Sequence, residues 1–225
     1  YYLMIFILPL LAVLIGYLIA KFLKPSSSVT FKLLLSFSGA YLLSVTVFEL
    51  LPEVYEHRGK EIGVFILLGL LFQIILEFIS KGLEHGHMHH DPNTKQFPLM
   101  LLVSLGIHSL LEGFPLNEST HLLYGVAIHK IPVAAILSIF LFNSKIGQVK
   151  AFLFLLLFAL MTPLGSWLKL QFEFIQTYSA YLNAIVIGVF LHISTTILFE
   201  ASKDHKFNAS KLCVIILGIL LAYFM

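Results

Sequence analysis

The sequence predicts an all-α integral membrane protein in which eight transmembrane helices form one bundle. Hydrophobic residues make up 59% of its 225 residues, and the mean hydropathy is +0.95. Charged residues reach only 12%, about half the usual share of a soluble protein. The apolar runs are continuous rather than alternating, which excludes a transmembrane β-barrel. No linker divides the chain, so residues 1–225 are interpreted as a single transmembrane domain.

Each predicted helix is long enough for the bilayer. A hydrocarbon core roughly 30 Å thick takes about 20 helical residues to cross. Eight stretches qualify, near Tyr2–Ala20, Val29–Leu51, Ile62–Lys81, Phe97–Leu116, His121–Phe142, Val149–Leu170, Tyr178–Ala201 and Ala209–Phe224. Helix is favoured because lipid offers no partner for an exposed backbone group. The first stretch ends at Lys21 without a small-residue cleavage site, so it is interpreted as a helix rather than a signal peptide.

The distribution of basic residues predicts the orientation of the bundle. With the N-terminus outside, ten lysines fall in cytoplasmic segments, and only Arg58, Lys60 and Lys169 fall outside. Because positive residues concentrate on the cytoplasmic side, both termini are predicted outside. The protein is expected in a cell membrane, either the plasma membrane or a bacterial inner membrane.

Net charge argues against a nucleic-acid partner, and cysteine content excludes a disulfide framework. The net charge of +2 and the lack of a basic stripe argue against nucleic acid. Cys213 is the single cysteine, so no disulfide framework exists. The lipid bilayer is the partner predicted by composition, and the sequence leaves a homodimer open.

Ionisable residues inside the predicted spans are costly and usually mark function. His108 and Glu112 are four residues apart on the fourth span, so they share one helix face. His129 lies on the fifth span at a similar depth, since His108 and His129 are each about ten residues from the connecting loop. Imidazole and carboxylate suit zinc and its neighbours in the transition series. The three residues are therefore the predicted metal ligands.

Lys130, next to His129, has three interpretations. It pairs with a carboxylate such as Glu112, it occupies a second cation position, or its stem snorkels toward water. The depth of Lys130 in the span disfavours snorkelling.

Further acids and histidines mark a predicted pathway for the ion. Glu49 and Glu53, near the outer end of the second span, are expected to concentrate cations there. His192 and Glu200 lie eight residues apart on roughly one face of the seventh span, and Glu200 is near its cytoplasmic end. The alternative for Glu53 and Glu200 is an ordinary interfacial carboxylate. Glu77 is interpreted as interfacial or paired. His57, His121 and His205 are interpreted as solvated.

The connection Gly82–Gln96 is longer than the others and rich in histidine. It contains His85, His87, His89 and His90, a composition typical of weak, exchangeable metal binding. The orientation rule places it in the cytoplasm, where it is the predicted loop metal site.

These motifs together resemble the ZIP (Zrt-, Irt-like) family of divalent metal-ion transporters along essentially the whole chain. The resemblance rests on His108-Ser109-Leu110-Leu111-Glu112-Gly113, on His129-Lys130, and on Glu49-Leu50-Leu51-Pro52-Glu53 after Phe37-Ser38-Gly39-Ala40. Thr162-Pro163-Leu164-Gly165 and Gly188-Val189-Phe190-Leu191-His192 are also similar to the family's sixth and seventh helices.

The resemblance implies transport of Zn²⁺, or of Fe²⁺, Mn²⁺ or Cd²⁺, toward the cytoplasm, with the metal as substrate and no catalytic cofactor. It implies that His108, Glu112 and His129 are the ligands of a central site. Many members carry further carboxylates where this chain has Lys130, Val133 and Thr162, which implies one metal rather than two.

Two other functions stay open at this point. An intramembrane zinc-dependent hydrolase would use His108, His129 and His192 as ligands and Glu112 as base. The His-Glu-x-x-His signature of metalloproteases is absent from the sequence. A non-transporting metal sensor is the other alternative, favoured by the missing carboxylates of the fifth and sixth spans. The prediction remains a transporter and not an enzyme.

Overall fold

A computed structural model describes residues 2–23, 29–57, 59–80, 98–200 and 209–224, and almost all of these residues are helical. The α-helices are α1 (Tyr2–Leu23), α2 (Val29–Val45), α3 (Leu51–His57), α4 (Glu61–Ser80), α5 (Leu99–Gly113), α6 (Thr120–Asn143), α7 (Gln148–Gln171), α8 (Glu173–Thr177), α9 (Ser179–Glu200) and α10 (Ala209–Phe224). A π-helical turn at Thr46–Leu50 joins α2 to α3, and a 3-10 turn at Phe114–Asn117 follows α5.

Among the described residues, seven helical segments are long and apolar enough to cross a bilayer, where the sequence predicted eight. The eighth, α10, has 16 residues, which corresponds to about 24 Å of helix. Large apolar side chains on several helices point away from the bundle, as Leu67 and Phe78 do on α4. Lipid is the solvent that such a surface requires.

Most helix packing occurs within two sets of helices. In the first helix group, α1 packs on α6 and α7, and α5 packs on α7. In the second helix group, α4 packs on α9, and α2 packs on both α9 and α10. The groups meet mainly where α2 contacts α6 and where α4 contacts α5.

Glycines allow the closest helix contacts, and these contacts lie inside the groups. A Cβ atom at Gly188 would collide with the backbone oxygen of Ile66, and one at Gly69 with that of Ile185, so α4 and α9 touch backbone to backbone. Gly165 of α7 approaches the backbone oxygen of Leu110 in α5 in the same way. At Gly125, between the groups, an added Cβ would meet the side chains of Tyr41, at 3.4 Å, and Leu42, at 3.7 Å, in ordinary contact. Small residues at interfaces favour close association of membrane helices, so each group is packed tightly within itself.

The second predicted span differs most from the sequence interpretation. It continues past Leu51 to His57 and contains the π-helical turn at Thr46–Leu50. Pro52 follows this turn, and its ring cannot donate a hydrogen bond to the carbonyl four residues earlier. A single π turn of this kind often occurs at functional sites, and Glu49 lies on it.

Candidate metal site

The three predicted ligands come together inside the bundle. His108 and Glu112 lie one turn apart on α5, and His129 lies on α6. All three side chains are buried, and each offers one ligand atom within 4.8 Å of the other two. His108 Nε2 is 3.0 Å from Glu112 Oε1. The spacing of four residues produces this contact, and the helix packing brings in His129.

The geometry of this cluster suits a single transition-metal ion. Zinc forms bonds of roughly 2.0–2.1 Å with imidazole nitrogen and carboxylate oxygen, so its ligand atoms lie about 3.3 Å apart in a tetrahedral site. The ligand atoms of the cluster lie up to 4.8 Å apart, which is somewhat more than this separation. Small rotations of the side chains would therefore close His108, Glu112 and His129 around an ion, with a fourth position open to water.

Lys130 is buried against the same carboxylate. Its Nζ atom lies 2.7 Å from Glu112 Oε2 and donates a 3.0 Å hydrogen bond to Ser109 Oγ. The ammonium also lies 4.6 Å from the centre of the Phe158 ring, a cation–π contact. Pairing with Glu112 was one of the three interpretations of Lys130 from the sequence, and it is the one that these contacts support.

Two hydroxyl groups of α7 fix the position of the site helix. Thr162 Oγ1 donates to the backbone oxygen of Ser109 at 2.9 Å, and Ser166 Oγ donates to that of Gly113 at 2.7 Å. These bonds hold the segment of α5 that carries His108 and Glu112 against α7.

Gln73 is a buried neighbour of the site that the sequence interpretation missed. It lies on α4, and its Oε1 atom is 3.4 Å from His108 Nδ1. The two residues are separated by 35 positions in the chain. Glutamine is uncommon in an apolar span, and that is the signal that could have identified it.

The predicted outer residue Glu49 joins the two helix groups. Its carboxylate accepts hydrogen bonds from Ser119 and His121 at the start of α6. The interpretation of His121 as merely solvated was therefore wrong, because its partly exposed ring pairs with Glu49. Glu53 is exposed on α3.

A second carboxylate on the same side of the bundle also joins the groups, and the sequence did not point to it. Glu118 accepts hydrogen bonds from Lys169 of α7 and from Asn183 of α9. Asn183 and Lys169 are both buried.

His192 lies away from the cluster and pairs with Glu77. The two side chains are 2.6 Å apart between His192 Nε2 and Glu77 Oε2, and both are partly exposed. Among the described residues, the group of possible ligands around His108 and His129 does not include His192, so the ligand set of the hydrolase alternative is not assembled. The side chain of Glu200 and the loop residues His85, His87, His89 and His90 lie outside the described residues.

Comparison with known proteins connects this arrangement to one family. The sequence model of the family described as ZIP Zinc transporter matches residues 80–225, which is more than half of the chain. The protein zntD of Dictyostelium discoideum is 28% identical over 150 residues, which cover 57% of this chain and 22% of that protein.

Two further relatives carry the name Zinc transporter ZIP1. The protein from Danio rerio is 25% identical over 57% of this chain and 45% of its own length. The protein from Plasmodium falciparum is 26% identical over 58% of this chain and 40% of its own length. The matched part of the chain thus spans less than half the length of each of these relatives.

Proposed function

Because the chain belongs to the ZIP zinc transporter family, we propose that it carries a divalent transition-metal ion, zinc foremost, across the membrane toward the cytoplasm. The observation that carries this proposal is the buried group formed by His108, Glu112 and His129, whose ligand atoms lie within 4.8 Å of one another. The family match and the relatives named as zinc transporters support zinc as the ion. Fe²⁺, Mn²⁺ and Cd²⁺ are the competing substrates.

The paired side chains on either side of the site suggest a path. Glu49, with Ser119 and His121, is the proposed point of entry, since a carboxylate and an imidazole attract and bind such ions. The ion then sheds most of its water at His108, Glu112 and His129. It leaves past His192 and Glu77. Glu53 at the entrance, and Glu200 with the loop histidines on the inner side, complete the proposed path.

Lys130 supplies a fixed positive charge to the site. Its ammonium neutralises Glu112 when no ion is bound, because a buried carboxylate without a partner is strongly destabilising. We infer that Lys130 takes the place of a second metal ion, so that one ion binds at a time.

The packing of the bundle suggests how the site changes sides. The ligands lie on α5 and α6 of the first helix group, and glycine-mediated backbone contacts hold each group together. We infer that the first helix group moves as a unit against the second. On this reading the contacts of Glu49 and Glu118 across the groups must break when the outer side opens.

We also propose eight spans with both termini outside. α10 packs along α2, and a bilayer accommodates a span somewhat shorter than its hydrocarbon core by local thinning.

Metal uptake into reconstituted vesicles tests the proposal. His108→Ala and His129→Ala should each abolish zinc uptake, because two ligands cannot replace the hydration shell of the ion. Ser138→Ala is the matched control: Ser138 is also buried on α6, but its hydroxyl donates to the backbone oxygen of Ala134 in its own helix. Undiminished uptake by both histidine variants would refute the assignment of the site. Competition among zinc, iron, manganese and cadmium in the same vesicles identifies the preferred ion.

A further inference from the structure

The imidazole ring of His108 is held from both sides. Its Nε2 atom faces Glu112 Oε1 at 3.0 Å, while its Nδ1 atom faces Gln73 Oε1 at 3.4 Å. His108 and Gln73 are both buried. The two ring nitrogens therefore have different neighbours, one within the ligand cluster and one on another helix.

The two nitrogens of an imidazole have different roles when the ring binds a metal ion. A neutral imidazole binds a metal ion through one nitrogen and carries its proton on the other. In metal sites the protonated nitrogen almost always donates to an oxygen atom, which fixes the tautomer and the ring orientation. Nε2 of His108 lies toward Glu112, so Nδ1 is the nitrogen that must carry the proton when an ion binds.

We propose that Gln73 is a positioning residue for His108: its side-chain oxygen accepts a hydrogen bond from the Nδ1–H group and so directs Nε2 toward the ion. This inference rests on the proposed function of His108 as a metal ligand. Gln73 does not touch the ion itself, and its amide oxygen supplies an acceptor on α4 between the buried residues Gly69 and Leu76.

The position of Gln73 adds a second consequence. Gln73 belongs to α4 of the second helix group, whereas His108 belongs to α5 of the first. The hydrogen bond therefore forms only when the two helix groups are positioned so that Gln73 lies next to His108. The affinity of His108 for the ion becomes coupled to the relative position of the groups, with tighter binding in the arrangement described here.

A purely structural role for Gln73 can be separated from this positioning role. Ser104 of α5 also joins α5 to α4, because its hydroxyl donates to the backbone oxygen of Leu76 at 2.7 Å. Ser104 is as fully buried as Gln73, and it lies one turn before His108. The variant Ser104→Ala therefore loosens the same helix contact and leaves the ring of His108 untouched.

The test measures zinc affinity of the purified full chain in detergent by competition with a chromophoric chelator. Gln73→Leu should weaken zinc binding roughly 10- to 100-fold, the usual effect of removing such an outer partner. Gln73→Glu keeps an acceptor oxygen and should restore most of the affinity. Ser104→Ala should change affinity by less than about threefold, since no ligand loses its partner.

The visible spectrum of bound Co²⁺ is a measurement that a change in helix packing alone does not alter. The visible spectrum of bound Co²⁺ depends on the geometry of its ligands, so Gln73→Leu should change that spectrum and Ser104→Ala should not. Equal zinc affinities and equal cobalt spectra for these two variants would overturn the proposal. If Gln73→Leu fails to fold, the comparison of Gln73→Glu with Gln73→Met decides between the two roles, since of these two side chains only glutamate offers an oxygen that accepts a hydrogen bond from Nδ1–H.

The outcome also separates this inference from the proposed function. Loss of zinc binding in His108→Ala with full binding in Gln73→Leu would reject only the role of Gln73. Unchanged binding in His108→Ala would reject the metal site itself.

Discussion

The Lys130 Nζ atom lies 2.7 Å from Glu112 Oε2, and both side chains are almost completely shielded from solvent. The remaining oxygen of that carboxylate faces His108 Nε2. Glu112 thus lies between the Lys130 ammonium and an imidazole that is proposed to bind the transported metal ion. This arrangement gives the site a balanced charge before any ion arrives.

Removing the charge of Lys130 should destabilise the metal-free protein. Lys130→Met keeps most of the side-chain stem but leaves Glu112 as a buried charge, and breaking such a pair costs about 3–5 kcal/mol. Zinc should then raise the melting temperature of Lys130→Met by more than that of the unaltered chain, because the ion supplies the missing positive charge. Thermal unfolding in detergent, with and without zinc, measures both effects.

The double variant Lys130→Met/Glu112→Gln is the control for this prediction. It leaves no buried charge unpaired and should regain much of the metal-free stability. If Lys130→Met melts like the unaltered chain both with and without zinc, the ion pair does not govern the charge of the site.

The close contact of α4 with α9 predicts a steric effect at Gly188. Gly188→Ala forces a methyl group against the backbone oxygen of Ile66, and overpacking of this kind costs about 1–3 kcal/mol. Gly106→Ala is the matched control, since its nearest neighbour would be the Met161 side chain at 3.7 Å. Thermal unfolding of the two variants compares them. Equal loss of stability would contradict the tight packing of the second helix group.

The proposed entrance predicts a charge effect that depends on salt. Glu49→Gln should raise the zinc concentration needed for half-maximal uptake several-fold at low ionic strength, because the carboxylate attracts the cation. The difference should shrink as salt screens the charge. Glu173→Gln, an exposed acid on α8, should have little effect. A salt-independent change for Glu49→Gln would show that its contacts with Ser119 and His121 matter more than its charge.

The pair formed by His192 and Glu77 predicts non-additive effects on transport. His192→Ala and Glu77→Gln should each lower the maximal uptake rate, since both are proposed to receive the ion after the central site. If they act as one unit, the double variant should be no slower than the slower single variant, within about twofold. Rates that multiply in the double variant would show that the two residues act separately.

Much of this protein could be predicted from local features of the sequence. Hydropathy over about 20 residues indicates a span wherever it occurs, and the seven long helical segments of the described residues agree with seven of the eight predicted spans. The spacing of His108 and Glu112 places them on one face of any helix. The similar depth of His129 follows from its distance to a short loop.

Contacts between distant helices could not be predicted in this way. Gln73 is 35 residues from His108, His121 is 72 residues from Glu49, and His192 is 115 residues from Glu77. Hydropathy and periodicity describe one helix at a time, and they do not specify which faces of two helices meet. The π-helical turn that carries Glu49 was not predicted either, because hydropathy and periodicity do not distinguish one such turn from the surrounding α-helix.

The sequence by itself therefore determined that the chain is a helical membrane protein, and it predicted which side chains bind a metal ion. The tertiary structure alone decided that Lys130 neutralises Glu112, that Gln73 faces His108, and that the helices pack as two groups. The physical reason is that burial in lipid is a property of each segment. Pairing of buried polar groups instead depends on the rotation and register of several helices at once.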